Sequence, residues 1–214
     1  MSCDTGYHHD HPHFHPVEHA VIGKPVKDFT MEVFDPEEGG FGEVSLEALK
    51  DQKKWVILFF YPADFTFVCP TELADLAAKH SELKAKNCEV LSVSTDTKFT
   101  HLAWKNDEVL LKDVKYKMAA DHTGVVSRYF GVYDCESGVA QRGTFIINPE
   151  GILVGTEITF QNVGRNADEL VRKLDASIYL QDHPAEACPA KWTPGEKTLT
   201  PSEKLVGKVG EELK

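Results

Sequence analysis

The chain has 214 residues, of which 42% are hydrophobic and 27% are charged, and its formal net charge is −11. This composition is ordinary for one globular domain with extensions, and the negative charge argues against nucleic acid or an anionic membrane surface as the main partner. The sequence has no apolar stretch of about 18 residues and no signal-peptide core near its start. We therefore expect a cytoplasmic protein that binds neither nucleic acid nor membrane.

The N-terminal segment, residues 1–20, is rich in histidine and also contains Pro, Asp and Gly. Such a segment cannot bury a core, so we predict that it is mobile and disordered. Imidazoles at this density, with Cys3 and Asp10 nearby, could bind zinc, nickel or copper adventitiously. A solvated tail is at least as good an interpretation, and we predict no metal site and no cofactor.

Strand and helix patterns alternate along the centre of the chain. Residues 21–54 have the pattern of a small β element with loops and a short helix that begins at Ser45. The predicted strands are then 55–61, 88–94, 143–148 and 152–160, and the predicted helices are 70–86, 98–111, 124–130 and 167–180. The last two strands are separated by a hairpin turn signal. This order predicts an α/β fold with a mixed sheet, as in thioredoxin-like proteins.

The C-terminal segment, residues 181–214, is charged, lacks periodicity and is interrupted by prolines and glycines. We predict an extended arm rather than a second domain. Cys188 and Trp192 in this arm indicate that it docks on another surface, for example that of a second subunit. The predicted organisation is a His-rich segment (1–20), an α/β domain (21–180) and the arm.

The cysteines are odd in number and widely spread. The chain has no Cys-x-x-Cys motif, which argues against a zinc ribbon and against a thioredoxin-type dithiol. In a reducing compartment such cysteines are usually free, transiently oxidised or catalytic. We interpret Cys88 as a buried strand residue, and Cys3 and Cys135 as incidental thiols.

Cys69 lies where a predicted strand ends and a predicted helix begins. Backbone N–H groups and the positive end of the helix dipole favour an anion at such a position, and the thiolate is the nucleophilic form of cysteine. Thr66 can place a hydroxyl beside the sulfur, and flanking prolines stiffen the loop. A buried structural cysteine is the alternative, but it needs no polar Thr66 nearby. We therefore interpret Cys69 as catalytic.

Several long motifs resemble those of the typical two-cysteine peroxiredoxins. They lie at residues 60–72, 92–97, 99–104 and 142–147, and the segments 188–192 and 199–208 are similar to the bacterial alkyl hydroperoxide reductase C branch. The similarity spans roughly residues 25–210 and leaves out the His-rich segment. The resemblance implies a thioredoxin-like fold with an N-terminal β extension.

The resemblance also implies a catalytic cycle. Cys69 takes the place of the peroxidatic cysteine, which becomes a sulfenic acid on reducing hydrogen peroxide or an alkyl hydroperoxide. Cys188 takes the place of the resolving cysteine, which forms a disulfide with Cys69 of a partner subunit. A flavoprotein disulfide reductase or a thioredoxin-like protein would then reduce the disulfide.

Five further residues match functional positions of the family. Pro62 and Thr66 match its active-site Pro and Thr, and Arg142 matches its catalytic arginine. Arg165 resembles a second arginine near the site. Glu72 resembles an acidic residue that orients the arginines.

The family resemblance also implies assembly. It predicts a homodimer that joins into a ring decamer, with Phe99 and Thr100 in the region that connects dimers. Two other functions compete with the peroxidase: a holdase chaperone or scaffold, and a thiol–disulfide carrier. The complete set of Pro, Thr, Cys and Arg argues against the first, and the missing Cys-x-x-Cys argues against the second.

Overall fold

The computed structural model describes residues 18–213, which divide into two compact units, 18–164 and 165–213. The predicted division at residues 20 and 180 stays a prediction. Of the His-rich segment, only residues 18–20 are described. Cys3 and the predicted mobility of the preceding residues therefore lie outside the described part of the chain.

Within residues 18–164, seven strands form one mixed sheet in the order β2-β1-β5-β4-β3-β6-β7. The strands are β1 (Thr30–Asp35), β2 (Gly40–Ser45), β3 (Trp55–Phe60), β4 (Cys88–Ser94), β5 (Lys117–Ala120), β6 (Arg142–Ile147) and β7 (Leu153–Thr159). Strands β3, β4 and β5 run parallel, and the other neighbours pair antiparallel. The predicted mixed α/β sheet is thus confirmed.

The helices of this unit connect the strands. They are α1 (Leu46–Asp51), α2 (Cys69–Ala85), α3 (Lys98–Asp107) and α4 (Val125–Tyr129). The prediction of one helix over residues 98–111 was wrong at its end, because Glu108 adopts an extended conformation and a 3-10 turn follows. The Glu108 side chain caps that turn by accepting a hydrogen bond from the Leu110 N–H at 3.1 Å. No helix within residues 18–213 is long and apolar enough to cross a membrane.

Strand β3 is the centre of the core and leads to the site. All six of its residues are buried, since it lies between β4 and β6. Phe60 at its end packs against Phe130 and Phe145, with ring centroids 5.6 Å apart in both pairs. Phe60 also pairs with Gly143 in β6. The end of β3 and the start of β6 are therefore side by side.

Residue patterns do not predict β5, although this strand joins two halves of the sheet. It pairs parallel with β4 and antiparallel with β1. Its residues are Lys117, Met118, Ala119 and Ala120, and these side chains have little β propensity. Its formation depends on its neighbours, since Met118 and Ala119 are fully buried between them.

The second unit begins with α5 (Ala167–Asp182), which confirms the predicted helix and extends it by two residues. The Asn166 side chain caps its start by accepting hydrogen bonds from two backbone N–H groups. The arm that follows contains a bridge between Ala187 and Leu199, a 3-10 turn (Glu203–Leu205) and a short helix, α6 (Val209–Glu212). Local structure therefore interrupts the extended conformation predicted for this arm.

Candidate active site

Cys69 is the first residue of α2 and is fully buried. The residue before it, Val68, provides no side-chain cap for the helix. Pro70 follows, as is common in a first helical turn. The N-terminal end of a 17-residue helix and its uncapped N–H groups thus lie at the sulfur, and both favour a negative charge there.

The loop before Cys69 is held in an uncommon conformation. Phe65 has φ of 55°, in the left-handed region that disfavours most side chains. The Thr66 hydroxyl donates a hydrogen bond to the Ala63 carbonyl at 2.8 Å. Because that bond uses the hydroxyl hydrogen, lone pairs of the Thr66 oxygen are left to accept. Pro62 is half-buried at the start of the same loop.

Arg142 is the first residue of β6 and is 3% exposed. Its Nη1 nitrogen donates to the Cys69 sulfur at 3.3 Å and to the Glu72 carboxylate at 2.6 Å. Its Nε nitrogen donates to the Gln161 carbonyl at 2.6 Å. A guanidinium hydrogen bond to sulfur stabilises the thiolate, because both the charge and the donor favour it.

Glu72 lies one turn into α2, on the helix that carries Cys69. Its side chain is 1% exposed and pairs with that of Arg142, which is 4% exposed. A buried cation with no counter-charge would cost several kcal/mol of desolvation, so the carboxylate makes the arginine tolerable here. The pair also fixes the guanidinium plane.

A second buried hydrogen-bond network, centred on Asp64, anchors the loop that precedes Cys69. The Asp64 carboxylate accepts the Tyr61 hydroxyl at 2.7 Å and contacts His101 Nδ1 at 2.8 Å. His101 Nε2 lies 3.2 Å from the Ala119 carbonyl. The Asp64 N–H donates to Asp96 at 2.9 Å. Burial raises the pKa of Asp64, although His101 opposes that rise.

Residue patterns did not connect His101 to the catalytic loop. The structure shows that it is fully buried on α3, facing Asp64. Two acceptors, a carboxylate and the Ala119 carbonyl, face its two ring nitrogens. Both ring nitrogens of His101 therefore lie within hydrogen-bond distance of an acceptor. The sequence signals available were the positions of Asp64 in the motif at residues 60–72 and of His101 in the motif at residues 99–104.

The remaining predicted site residues belong to the second unit. Arg165 is half-buried and precedes Asn166, the cap of α5. Cys188 is half-buried in the arm. Burial raises the pKa of the Cys188 thiol, the Glu186 carboxylate adds to the rise, and Arg172 opposes it.

Two other cysteines are described by the structure. Cys88 begins β4 and is 2% exposed, which confirms the prediction of a buried strand residue. Burial raises its pKa far above the ordinary value. Cys135 is exposed in the turn before β6. Within residues 18–213, no group of three or more His, Cys, Asp or Glu side chains is placed to hold a metal ion.

Comparison with known proteins agrees with this geometry. The AhpC/TSA family model matches residues 22–156, and the model of the C-terminal domain of 1-Cys peroxiredoxin matches residues 180–212. Alkyl hydroperoxide reductase C of Staphylococcus saprophyticus is 44% identical over 190 residues, which are 89% of this chain and all of that protein. The protein of the same name from Staphylococcus aureus is 45% identical over the same length.

Solved structures show the same similarity in three dimensions. The crystal structure of Enterococcus faecalis AhpC is 44% identical with a TM-score of 0.75, covering 79% of this chain and 99% of that one. Reduced Plasmodium vivax 2-Cys peroxiredoxin is 33% identical with a TM-score of 0.80, covering 86% and 94%. The mixed sheet and its helices are therefore a thioredoxin-like fold, as predicted.

A buried cysteine at a helix start, bonded by an arginine, within this fold defines a peroxiredoxin-type thiol enzyme. The chain belongs to the AhpC/TSA family. Its similarity to alkyl hydroperoxide reductase C over most of its length confirms the predicted branch of that family.

Proposed function

We propose that this enzyme reduces hydrogen peroxide and alkyl hydroperoxides with Cys69 as the peroxidatic cysteine. The observation that carries the proposal is the 3.3 Å hydrogen bond from Arg142 Nη1 to the Cys69 sulfur. It joins a nucleophile to a cation that stays charged throughout the reaction. The names of the relatives, alkyl hydroperoxide reductase C and 2-Cys peroxiredoxin, support a peroxide as the substrate.

In the first step the Cys69 thiolate attacks one oxygen of the peroxide and the O–O bond breaks. The sulfur gains that oxygen and becomes a sulfenic acid. The other oxygen leaves with the bonding electrons and takes up a proton, giving an alcohol or water. Arg142 stabilises the charge that builds on the departing oxygen.

The loop residues orient the peroxide for this attack. The Thr66 oxygen, whose hydrogen is donated to the Ala63 carbonyl, accepts the hydroperoxide hydrogen. Pro62 shields the sulfur from water. Glu72 holds the Arg142 guanidinium in place, and the match of Arg165 to the family's second arginine supports a catalytic role for Arg165 as well. Holding both reactants in line lowers the entropic part of the barrier.

In the second step the Cys188 thiol of a partner subunit condenses with the Cys69 sulfenic acid. A disulfide forms and water leaves. A dithiol reductant, from a flavoprotein disulfide reductase or a thioredoxin-like protein, then returns both cysteines to thiols and becomes a disulfide itself. We propose no metal or organic cofactor on this chain for these steps, and we place the cycle in the cytoplasm.

The chain would work as a homodimer that assembles into a ring decamer. Strand β7 is an edge of the sheet, and an edge strand can pair with a second copy. Phe99 is 63% exposed and packs edge-on against Phe41, with ring centroids 5.1 Å apart. An exposed aromatic pair of this kind supports a further contact between dimers.

One experiment tests both cysteines. Wild type, Cys69→Ser, Cys188→Ser and the control Cys135→Ser receive one equivalent of peroxide and are run on a non-reducing gel. We expect a disulfide-linked dimer in wild type and the control only, and loss of peroxide consumption in Cys69→Ser. Wild-type peroxide consumption by Cys69→Ser would contradict the Cys69 assignment. Sustained cycling by Cys188→Ser with a dithiol reductant would contradict the Cys188 assignment.

A further inference from the structure

A carboxylate in the arm is held by two hydroxyl groups just before Cys188. Glu186 Oε2 accepts a hydrogen bond from the Tyr179 hydroxyl at 2.7 Å. The Thr198 hydroxyl donates to the same oxygen. Tyr179 lies on α5, and Thr198 lies on the segment that returns after Cys188. We call Glu186, Tyr179 and Thr198 the Glu186 clasp.

Backbone and ring contacts reinforce the clasp on one side of Cys188. Ala187 and Leu199 exchange two backbone hydrogen bonds, at 2.8 and 2.9 Å. The His183 ring stacks on the Tyr179 ring with centroids 4.1 Å apart and planes 7° from parallel. The Glu186 N–H donates to the His183 carbonyl at 3.0 Å. The segment that leads into Cys188 is thus tied to α5.

The other side of Cys188 is fixed by Trp192, which is 2% exposed. Its ring lies 5.0 Å from that of Tyr179, and its indole N–H donates to the Glu196 carbonyl at 3.0 Å. Arg172 on α5 donates to the Trp192 carbonyl at 3.1 Å. Tyr179 therefore contacts the segments on both sides of Cys188. Its hydroxyl binds Glu186, and its ring packs near that of Trp192.

The charges around Cys188, like the contacts that restrain it, lower its reactivity. The hydrogen bonds from Thr198 and Tyr179 hold the pKa of Glu186 below its usual value, so its carboxylate is ionised at neutral pH. Burial and that negative charge both raise the pKa of Cys188, while Arg172 opposes them. In the docked arm Cys188 is a protonated thiol, which is the less nucleophilic form.

We propose that Glu186 is a positioning residue for the resolving step, whose carboxylate, held by Tyr179 and Thr198, keeps Cys188 docked and unreactive until the clasp opens. The proposal rests on the proposed function only in naming Cys188 as the resolving cysteine. The carboxylate restrains the arm mechanically through two charge-assisted hydrogen bonds, and it suppresses the thiolate electrostatically. Opening the clasp removes both effects at once.

The first test measures Cys188 where no peroxide chemistry can occur. In a Cys69→Ser background, the rate of Cys188 alkylation by iodoacetamide is followed by peptide mass spectrometry between pH 6 and pH 10. We expect Glu186→Ala and the double variant Tyr179→Phe/Thr198→Val each to raise the rate at pH 7 about tenfold. The double variant keeps the Tyr179 ring and its stack, so it also serves if Glu186→Ala weakens the fold of the arm.

Matched variants separate the two effects of the carboxylate. Glu186→Gln keeps an oxygen that can accept hydrogen bonds from both hydroxyls but removes the charge. The pH profile of Cys188 alkylation should therefore shift to lower pH, while the arm stays bound to α5. Glu203→Ala removes an exposed glutamate elsewhere in the arm and should leave the rate unchanged. Adding Tyr179→Phe and Thr198→Val to Glu186→Ala should raise the Cys188 alkylation rate little further, because the three residues form a single interaction.

The second test restores Cys69. After one equivalent of peroxide, the clasp variants should form the disulfide several-fold faster than wild type and give less Cys69 sulfinic acid with excess peroxide. Equal Cys188 alkylation rates in wild type, Glu186→Ala and the double variant would overturn the Glu186 proposal. Faster alkylation in the clasp variants, but no effect of Cys188→Ser on turnover, would uphold the clasp and overturn the resolving role of Cys188 instead.

Discussion

Arg142 and Cys69 are 73 positions apart in the chain, yet the Arg142 Nη1 nitrogen lies 3.3 Å from the Cys69 sulfur. The contact arises because β6 begins beside the end of β3, where Phe60 pairs with Gly143. The same nitrogen bonds Glu72 at 2.6 Å. One cation is therefore shared between the nucleophile and a buried carboxylate.

Replacing Arg142 by Lys should lower the second-order rate constant for peroxide by about 10²-fold. A lysine ammonium cannot reach the Cys69 sulfur, Glu72 and the Gln161 carbonyl at once, because it lacks the planar fork of a guanidinium. Stopped-flow kinetics at pH 7 measure the change. A rate within a factor of three of wild type would show that the fork is dispensable.

Arg142→Met tests the ion pair itself. It leaves the Glu72 carboxylate buried without its arginine, so the free energy of unfolding should fall by about 3–5 kcal/mol. Arg142→Met/Glu72→Gln should regain most of that stability while staying inactive toward peroxide. Urea denaturation of the two variants checks this. Similar stability of both variants would mean that other groups neutralise Glu72.

Asp64→Asn should lower the free energy of unfolding by about 1–3 kcal/mol, because the amide cannot replace the carboxylate that faces both Tyr61 and His101. The rate of peroxide reduction should fall as well, since the loop is anchored through this residue. Thermal denaturation and stopped-flow kinetics report the two effects. Asp113→Asn, which changes an exposed residue, is the control and should change neither quantity.

Gly143→Ala should disturb the start of β6. A Cβ at this position would lie 2.7 Å from Val132 Cγ1 and 2.9 Å from Phe145 Cε2, so neighbours must move. We expect a loss of about 1–3 kcal/mol of stability and a slower reaction, because Arg142 is the adjacent residue. Adding Val132→Ala should recover part of both. No recovery would place the clash at Phe145 alone.

The buried thiol of Cys88 should make stability depend on alkaline pH. Burial holds its folded-state pKa far above the ordinary value of 9.0, so between the two values only the unfolded chain loses the proton. The stabilising contribution is complete below pH 9 and is lost as the pH rises further. The free energy of unfolding should drop by up to about 1.4 kcal/mol per pH unit more in wild type than in Cys88→Ala. If the free energy of unfolding fell equally steeply in both proteins between pH 9 and pH 10.5, the raised pKa of Cys88 would be contradicted.

Local patterns in the sequence were sufficient to predict the positions of the long helices and of the central strand. The apolar run of β3 and the periodicity of α2 and α5 predicted those elements to within two residues. Strand β5 could not be predicted, because its short, alanine-containing sequence forms a strand only between β4 and β1. The break at Glu108 depends on a side-chain cap that periodicity does not reveal.

The site was partly predictable for a similar reason. Cys69 and Thr66 are close in sequence, so a local pattern and the family resemblance were enough to single them out. The Gln161 carbonyl that binds Arg142 is a backbone group and carries no sequence signal. The pairing of Asp64 with His101 depends on how α3 packs, which residue patterns alone do not specify.

The pairing of β3 with β6 makes the site sensitive to strand alignment rather than to loop length. The pairing of Phe60 with Gly143 sets the position of the preceding residue, Arg142, at the start of β6. Side chains alternate between faces, so a slip of one residue would turn the guanidinium to the opposite face of the sheet. The exposed turn around Cys135 also lies between the two strands, but it is outside the catalytic loop and can lengthen without such a slip. Insertions in that turn should leave the chemistry intact, whereas a single deletion inside β6 should abolish it.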